Sequence, residues 1–139
     1  MSYLVDTDVI VEIRKPEPDR GVAAWWERVP AHELFLSAVT IGELQRGVER
    51  LRERRDDRQA DLLHDWLAVI TTRFGDRILP VTAAVTSAWG RQDTMESVSV
   101  LDGLIAATAS VNGLVVVTRR SGDVAMAGAR VLNPYAAVR

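Results

Sequence analysis

The 139-residue chain has no cysteine, one lysine, two histidines and only eight aromatic residues. Each scarcity removes a class of chemistry. Without cysteine there is no disulfide framework, iron–sulfur cluster, thiolate zinc site or cysteine nucleophile. His32 and His64 stand far apart with no supporting pattern, so histidine acid–base catalysis finds no footing. No apolar run reaches the length of a membrane span. The start, MSYLVDTD, meets an acid at position 6, unlike a secretory leader, so a cytoplasmic protein is expected. What remains is an ordinary soluble mixture, 47% hydrophobic and 26% charged. The length suits a single domain over 1–139, one that buries about 68–70% of its unfolded surface without staples.

Positive charge is also in short supply. Seventeen basic residues against nineteen acidic ones leave a net charge of −2, which argues against gripping a polyanion by bulk charge. The basic residues are nonetheless almost all arginine, Lys15 being the one lysine. Arginine presents a planar fork matched to carboxylate and phosphate.

Strand and helix signals alternate along the chain. Short apolar runs predict strands over 3–5, 34–37, 77–80, 114–117 and 130–132. The run 114–117 is apolar at every position, as in a strand buried on both faces. Between them fall helical patterns. One follows Asp6 or Thr7 and ends before Pro16. One runs from Asp19 to Pro30, one from near Thr40 into the charge run 50–58, and one over 58–74. Another is capped by Thr82, and an Ala-rich helix stops at Asn112-Gly113. This order predicts an α/β/α three-layer sandwich around a mainly parallel sheet, with function at the carboxyl ends of its strands.

Four carboxylates occupy such positions. Asp6 follows the first strand. Glu43 lies in the first turn of the helix after the second, and Asp102 in the first turn of the Ala-rich helix. Asp123 lies in the loop after the fourth strand. Each also has a structural explanation. Thr40-Ile41-Gly42-Glu43 fits a capping box, Asp102 suits a helix dipole, Asp6 is a cap and Asp123 a turn residue. Together they suggest more. Carboxylates held close repel, and a hard divalent cation with oxygen ligands, Mg²⁺ or Mn²⁺, relieves that repulsion. Two such ions would carry the net charge from −2 to about +2, reconciling an acidic protein with a polyanionic substrate.

These residues resemble the PIN-domain nucleases, specifically the VapC-type toxins of bacterial toxin–antitoxin pairs. The likeness spans nearly the whole chain. It rests on Leu4-Val5-Asp6-Thr7-Asp8-Val9-Ile10, on Ser37-Ala38-Val39-Thr40-Ile41-Gly42-Glu43-Leu44-Gln45-Arg46-Gly47, and on Leu101-Asp102-Gly103-Leu104-Ile105-Ala106-Ala107-Thr108-Ala109. It continues through Val117-Thr118-Arg119 to Asp123 and closes with Val131-Leu132-Asn133-Pro134. The resemblance implies a PIN-like fold and a Mg²⁺-dependent endoribonuclease, with Mn²⁺ a substitute. Asp6, Glu43, Asp102 and Asp123 match the acidic quartet. Asp6 and Asp102 would ligate metal directly, Glu43 and Asp123 directly or through water, with Thr7, Asp8 and Thr118 in support. It further implies a homodimer silenced by a VapB-type antitoxin, whose complex, rather than the toxin alone, meets operator DNA.

Three positions depart from the family pattern. Asp8 replaces a common Asn, Arg120 another, and Val124 a common Phe. Arg120 is thereby a candidate partner for Asp123. Two other function classes follow from the residues. A non-catalytic PIN-like binding module fits the altered Arg120 and Val124. A haloacid-dehalogenase-type phosphatase fits Val5-Asp6-Thr7-Asp8, with Asp6 as nucleophile. That chemistry wants Thr or Val at Ile10 and a late lysine, whereas Lys15 comes early. Trp66 and Trp89 read as core. Adjacent Trp25 and Trp26 cannot both face one core, so one is offered to a dimer or antitoxin surface.

Overall fold

Tyr3-Leu4-Val5 forms β1 (Tyr3–Val5), at the centre of a five-stranded sheet of order β3-β2-β1-β4-β5. Its neighbours are β2 (Leu34–Ser37) and β4 (Val115–Val117), flanked by β3 (Ile78–Leu79) and β5 (Val131–Leu132), and every pairing is parallel. The register sets Leu4 beside Phe35 on one side and Val116 on the other. The structure is a computed structural model that describes residues 1–93, 95 and 97–136.

Parallel strands need crossovers, and helices supply them. These are α1 (Thr7–Arg14), α2 (Arg20–Arg28), α3 (Ala38–Glu53), α4 (Asp57–Phe74), α5 (Ala83–Gly90), α6 (Val100–Asn112) and α7 (Ser121–Met126). Side chains of a strand alternate between faces, so β1 and β4 each feed two cores. Val5 and Val117 join Val9, Ile10, Trp25, Leu44, Leu67 and Phe74 on one face. Leu4 and Val116 join Ile105, Ala106, Ala109 and Val124 on the other. The three-layer sandwich read from the sequence is therefore present. Among the described residues no helix is long and apolar enough to cross a membrane.

Several local expectations need correction. Helix α3 starts at Ala38, not near Thr40, because the Ser37 hydroxyl accepts from the Val39 N–H at 3.0 Å and takes the cap. The expected end of that helix in the charge run 50–58 holds: α3 stops at Glu53, Arg55 turns the chain at φ 61°, and Asp56 caps α4. The stretch after β4 is not all loop, since Ser121–Met126 is helical. Trp89 is 39% exposed rather than core, whereas Trp25 is buried and Trp26 half-buried. The Asn112-Gly113 stop holds, with Gly113 left-handed at φ 67°.

Two devices fix the elements that carry the acids. Asp19 caps α2 by accepting from Gly21 and Val22 N–H, and the same oxygen accepts from Ala136 N–H at 3.0 Å. The Tyr135 hydroxyl donates to the Asp8 carbonyl at 3.3 Å. The 133–136 segment is thereby strapped over α1 and α2. On the opposite layer, Gly103 lacks a Cβ, which lets the Trp89 ring and Gln92 close on α6 beside Asp102. Gln92 Nε2 donates to the Gly103 carbonyl at 2.7 Å.

Candidate active site

Strand order reverses between β1 and β4, and the crevice at such a switch point lies beyond the strands' carboxyl ends. Asp6 directly follows β1 and Thr118 directly follows β4. The Asp6 N–H donates to the Val117 carbonyl at 2.9 Å, extending the ladder by one bond and setting the two residues side by side. Helix α6 precedes a strand of the parallel sheet. Its return path therefore brings its N-terminus, and Asp102, to this same edge.

Asp6 is wholly buried and fully engaged. Its Oδ1 accepts from the Thr7 N–H at 2.8 Å, capping α1. Its Oδ2 accepts from the Thr118 hydroxyl at 2.8 Å and from Arg120 Nη2 at 3.0 Å. The same guanidinium donates through Nη1 to Asp102 Oδ2 at 2.8 Å and lies with Nε 3.8 Å from Asp8 Oδ2. The Arg120 backbone is held too, its N–H donating to Thr118 Oγ1 at 3.0 Å. Residues 102 and 120 thus meet residue 6 around one planar cation.

Electrostatics follow from that crowding. Burial, reinforced by the neighbouring Asp6 charge, pushes the Asp8 carboxyl up to about 6, although the Arg119 N–H donates to its Oδ2 at 3.2 Å. Its other oxygen, Oδ1, is buried and has no hydrogen-bond partner among the described residues. Burial works against the Arg120 charge, but the Asp6 and Asp102 carboxylates outweigh it and raise its pKa. One guanidinium facing three carboxylates leaves the cluster negative.

Glu43 joins from α3 by a different route. The Thr7 hydroxyl donates to Glu43 Oε1 at 2.6 Å and lies 3.1 Å from the hydroxyl of buried Thr40. A hydroxyl has one hydrogen, so with Thr7 donating to the carboxylate, Thr40 donates to Thr7. The capping-box reading of Glu43 is thereby overturned: its partner is 36 residues away. A groove of about 480 Å³ opens beside it, lined by Val39, Gly42, Glu43, Arg46 and Leu101.

Of the four acids singled out in the sequence, Asp6 and Asp102 share a partner, and Glu43 is tied to Thr7, the residue after Asp6. Asp123 is exposed in the first turn of α7, and its carboxylate makes no hydrogen bond or ion pair with a described side chain. Its expected partner, Arg120, reaches Asp6, Asp8 and Asp102 instead. Sequence reasoning missed that role for Arg120, and the link through Thr40. The available signal was position: Arg120 comes two residues after Thr118, at the rim where the acids converge. Against the phosphatase reading, Asp6 is wholly buried, with one oxygen committed to capping α1 and the other to the Thr118 hydroxyl and Arg120. His32 and His64 are both exposed, away from any catalytic arrangement.

Oxygen is the donor type throughout the cluster, and the unpartnered Asp8 Oδ1 is one more oxygen open to a hard divalent cation. The donor chemistry fits such an ion. The present spacing does not: among the described residues no three acidic or histidine side chains converge closely enough to hold a metal. Carboxylates arranged around a planar guanidinium stand farther apart than around a bare ion.

The chain is similar to known proteins along most of its length. The PIN domain family model matches residues 3–120. The chain is 33% identical to toxin FitB of Neisseria gonorrhoeae over 138 residues, covering 95% of this chain and 97% of FitB. It is also 33% identical over 135 residues to VapC ribonuclease Y4jK of Sinorhizobium fredii, covering 95% of this chain and 96% of that protein. Among solved structures, FitAcB from Neisseria gonorrhoeae superposes with a TM-score of 0.86 at 33% identity, covering 95% of this chain and 97% of the other. FitAB bound to the IR36 DNA fragment gives a TM-score of 0.86 at 30% identity, covering 99% and 98%.

Proposed function

The chain belongs to the PIN-domain family, and from that premise we propose that it is the toxin of a toxin–antitoxin pair, an endoribonuclease that works with a divalent cation. The observation that carries this reading is the convergence of Asp6, Asp8 and Asp102, drawn from two distant parts of the chain, on one guanidinium at the carboxyl edge of the sheet. Full-length likeness to proteins named toxin and ribonuclease supports it.

Asp6 and Asp102 would hold the ion, Mg²⁺ or in its place Mn²⁺, with Asp8 Oδ1 as a further oxygen donor. When bound, the ion acidifies water in the pocket and stabilises negative charge developing at phosphorus. The chain's own residues then divide the work. Thr118 and the α1 amide fix both oxygens of Asp6, so its orientation is set before substrate arrives. Thr7 holds Glu43 by Oε1, leaving Oε2 to accept the proton of the attacking water. The water oxygen bonds to phosphorus as the bond to the 3′ oxygen breaks, and that oxygen leaves as a 3′-hydroxyl after taking a proton from solvent. Arg46 lines the groove beside Glu43, where its guanidinium would meet the phosphates of a bound RNA. Asp123 completes the family quartet in sequence and stands exposed in the first turn of α7, at the rim rather than among the other acids.

The partner is a VapB-type antitoxin, and operator DNA is reached through that complex, as the DNA-bound FitAB structure illustrates for its own chains. A homodimer is the proposed assembly, with half-buried Trp26 available to an interface. Purified protein is expected to cleave RNA only with added Mg²⁺ or Mn²⁺. Asp6→Asn, which keeps the cap acceptor but removes a charged ligand, is expected to abolish metal-dependent cleavage while far-ultraviolet circular dichroism stays unchanged. Undiminished cleavage by highly purified Asp6→Asn protein would refute the assignment.

A further inference from the structure

Arg120 stands where a divalent cation would have to stand. Its nitrogens lie 3.0 Å from Asp6 Oδ2, 2.8 Å from Asp102 Oδ2 and 3.8 Å from Asp8 Oδ2. Asp6 and Asp102 are the proposed metal ligands, and the oxygens that Arg120 uses on them are those facing the pocket. The other Asp6 oxygen is committed to the α1 amide. Occupation by the guanidinium and occupation by an ion are therefore mutually exclusive at Asp6 Oδ2.

The two occupants differ in mobility. Asp6 is wholly buried, but the Arg120 side chain is 42% exposed and enters from the rim. Its backbone is pinned by the Thr118 hydroxyl, so the side chain can swing to solvent about its own bonds while the chain trace stays put. They differ in charge as well. The guanidinium spreads one unit over a plane. A divalent ion concentrates two units at about 2.0–2.2 Å from its oxygens and draws the ligands closer than Arg120 holds them. Among the described residues no three acids stand at metal-binding distance, as a guanidinium-held pocket should look.

We infer that Arg120 is a tethered counter-cation that competes with the divalent ion for the acidic pocket, so that metal enters only as Arg120 leaves. The inference rests on the reading of this pocket as a cation site. Its quantitative form is simple. A ligand whose competent state is a minor fraction binds more weakly by that fraction. Removing the competitor should restore the lost affinity.

Isothermal titration of the full chain with Mn²⁺ tests it. Arg120→Gln is expected to bind Mn²⁺ at least tenfold more tightly than wild type. Arg120→Lys, which keeps the charge but lacks the fixed planar fork of the guanidinium, should fall between them. If only overall charge mattered, Arg120→Lys would match wild type. Equal or weaker Mn²⁺ binding by Arg120→Gln overturns the inference. A second readout needs no variant: the Arg120 Nε–H resonance of wild-type protein should shift with Mg²⁺ at the midpoint of Mg²⁺ binding. Saturation with Mg²⁺ at an unmoved Arg120 resonance also overturns it. Asp6→Asn separates this failure from that of the function. If wild type binds Mn²⁺ and Asp6→Asn does not, the cation site stands whatever Arg120 does. If neither wild type nor Arg120→Gln binds Mn²⁺, both readings fall.

Discussion

Thr7 shows how much of the pocket depends on single hydroxyls. Its Oγ1 is the link between the α1 start and Glu43 on α3, at 2.6 Å, with Thr40 beneath. Thr7→Val keeps the shape and removes the donor. A half-buried carboxylate losing its donor costs about 1–3 kcal/mol. A stability loss of that size in urea unfolding, with slowed RNA cleavage, is expected, and Thr7→Ser should restore most of both. Unchanged cleavage by Thr7→Val would remove Glu43 from the proposed proton transfer. At this scale the sequence was only partly readable. Asp6, Glu43 and Asp102 could be picked out because strand ends and helix starts obey local rules. The partners could not. Glu43 looks like a capping residue until Ser37 is seen to hold the cap and Thr7 the carboxylate. Arg120 reads as a partner for Asp123 until folding closes a separation of 114 residues to Asp6. Local spacing carries no information about which side chain fills a pocket formed by distant elements.

Elements were more legible than contacts. All five strands lie within the runs that predicted them, with β3, β4 and β5 trimmed to Ile78–Leu79, Val115–Val117 and Val131–Leu132. Long helices with an apolar stripe, α3 and α4, announced themselves. Helix α7 did not, because six residues with few large apolar side chains show no periodic face. Its Val124 is buried all the same, which tertiary packing alone decides. The seam between α2 and the 133–136 segment offers an element-scale test. A Cβ at Gly21 would meet the Pro134 carbonyl oxygen and lie 2.6 Å from the Ala136 nitrogen, both backbone atoms that cannot rotate aside. Gly21→Ala should therefore force the strap off α2 and cost about 1–3 kcal/mol, as overpacking does elsewhere. Urea denaturation reads it, and a stability equal to wild type would show that the strap moves freely.

Over the whole molecule, the central sheet divides the apolar interior into two cores, with Leu4 in one and Val5 in the other. Truncating either central position should be felt throughout. Leu4→Ala removes a fully buried side chain and is expected to cost about 2–5 kcal/mol, read as a lower urea midpoint with one transition. Two separated transitions would mean that the layers unfold independently. The fold was legible at this scale because alternating strands and helices, with 114–117 apolar throughout, leave few architectures open. The net charge of −2 gave no hint of how the acids would gather, since composition averages over the very asymmetry that the pocket concentrates.

The joining of Asp6 to the β4 end also bears on the protein's synthesis. Asp6 leaves the ribosome early, yet its side-chain partners Thr118 and Arg120 follow 112 and 114 residues later. A nascent chain carries the first acid long before it has a pocket. The cleft can assemble only once β4 has emerged and docked beside β1, so a truncated translation product would retain the motif and lack the site.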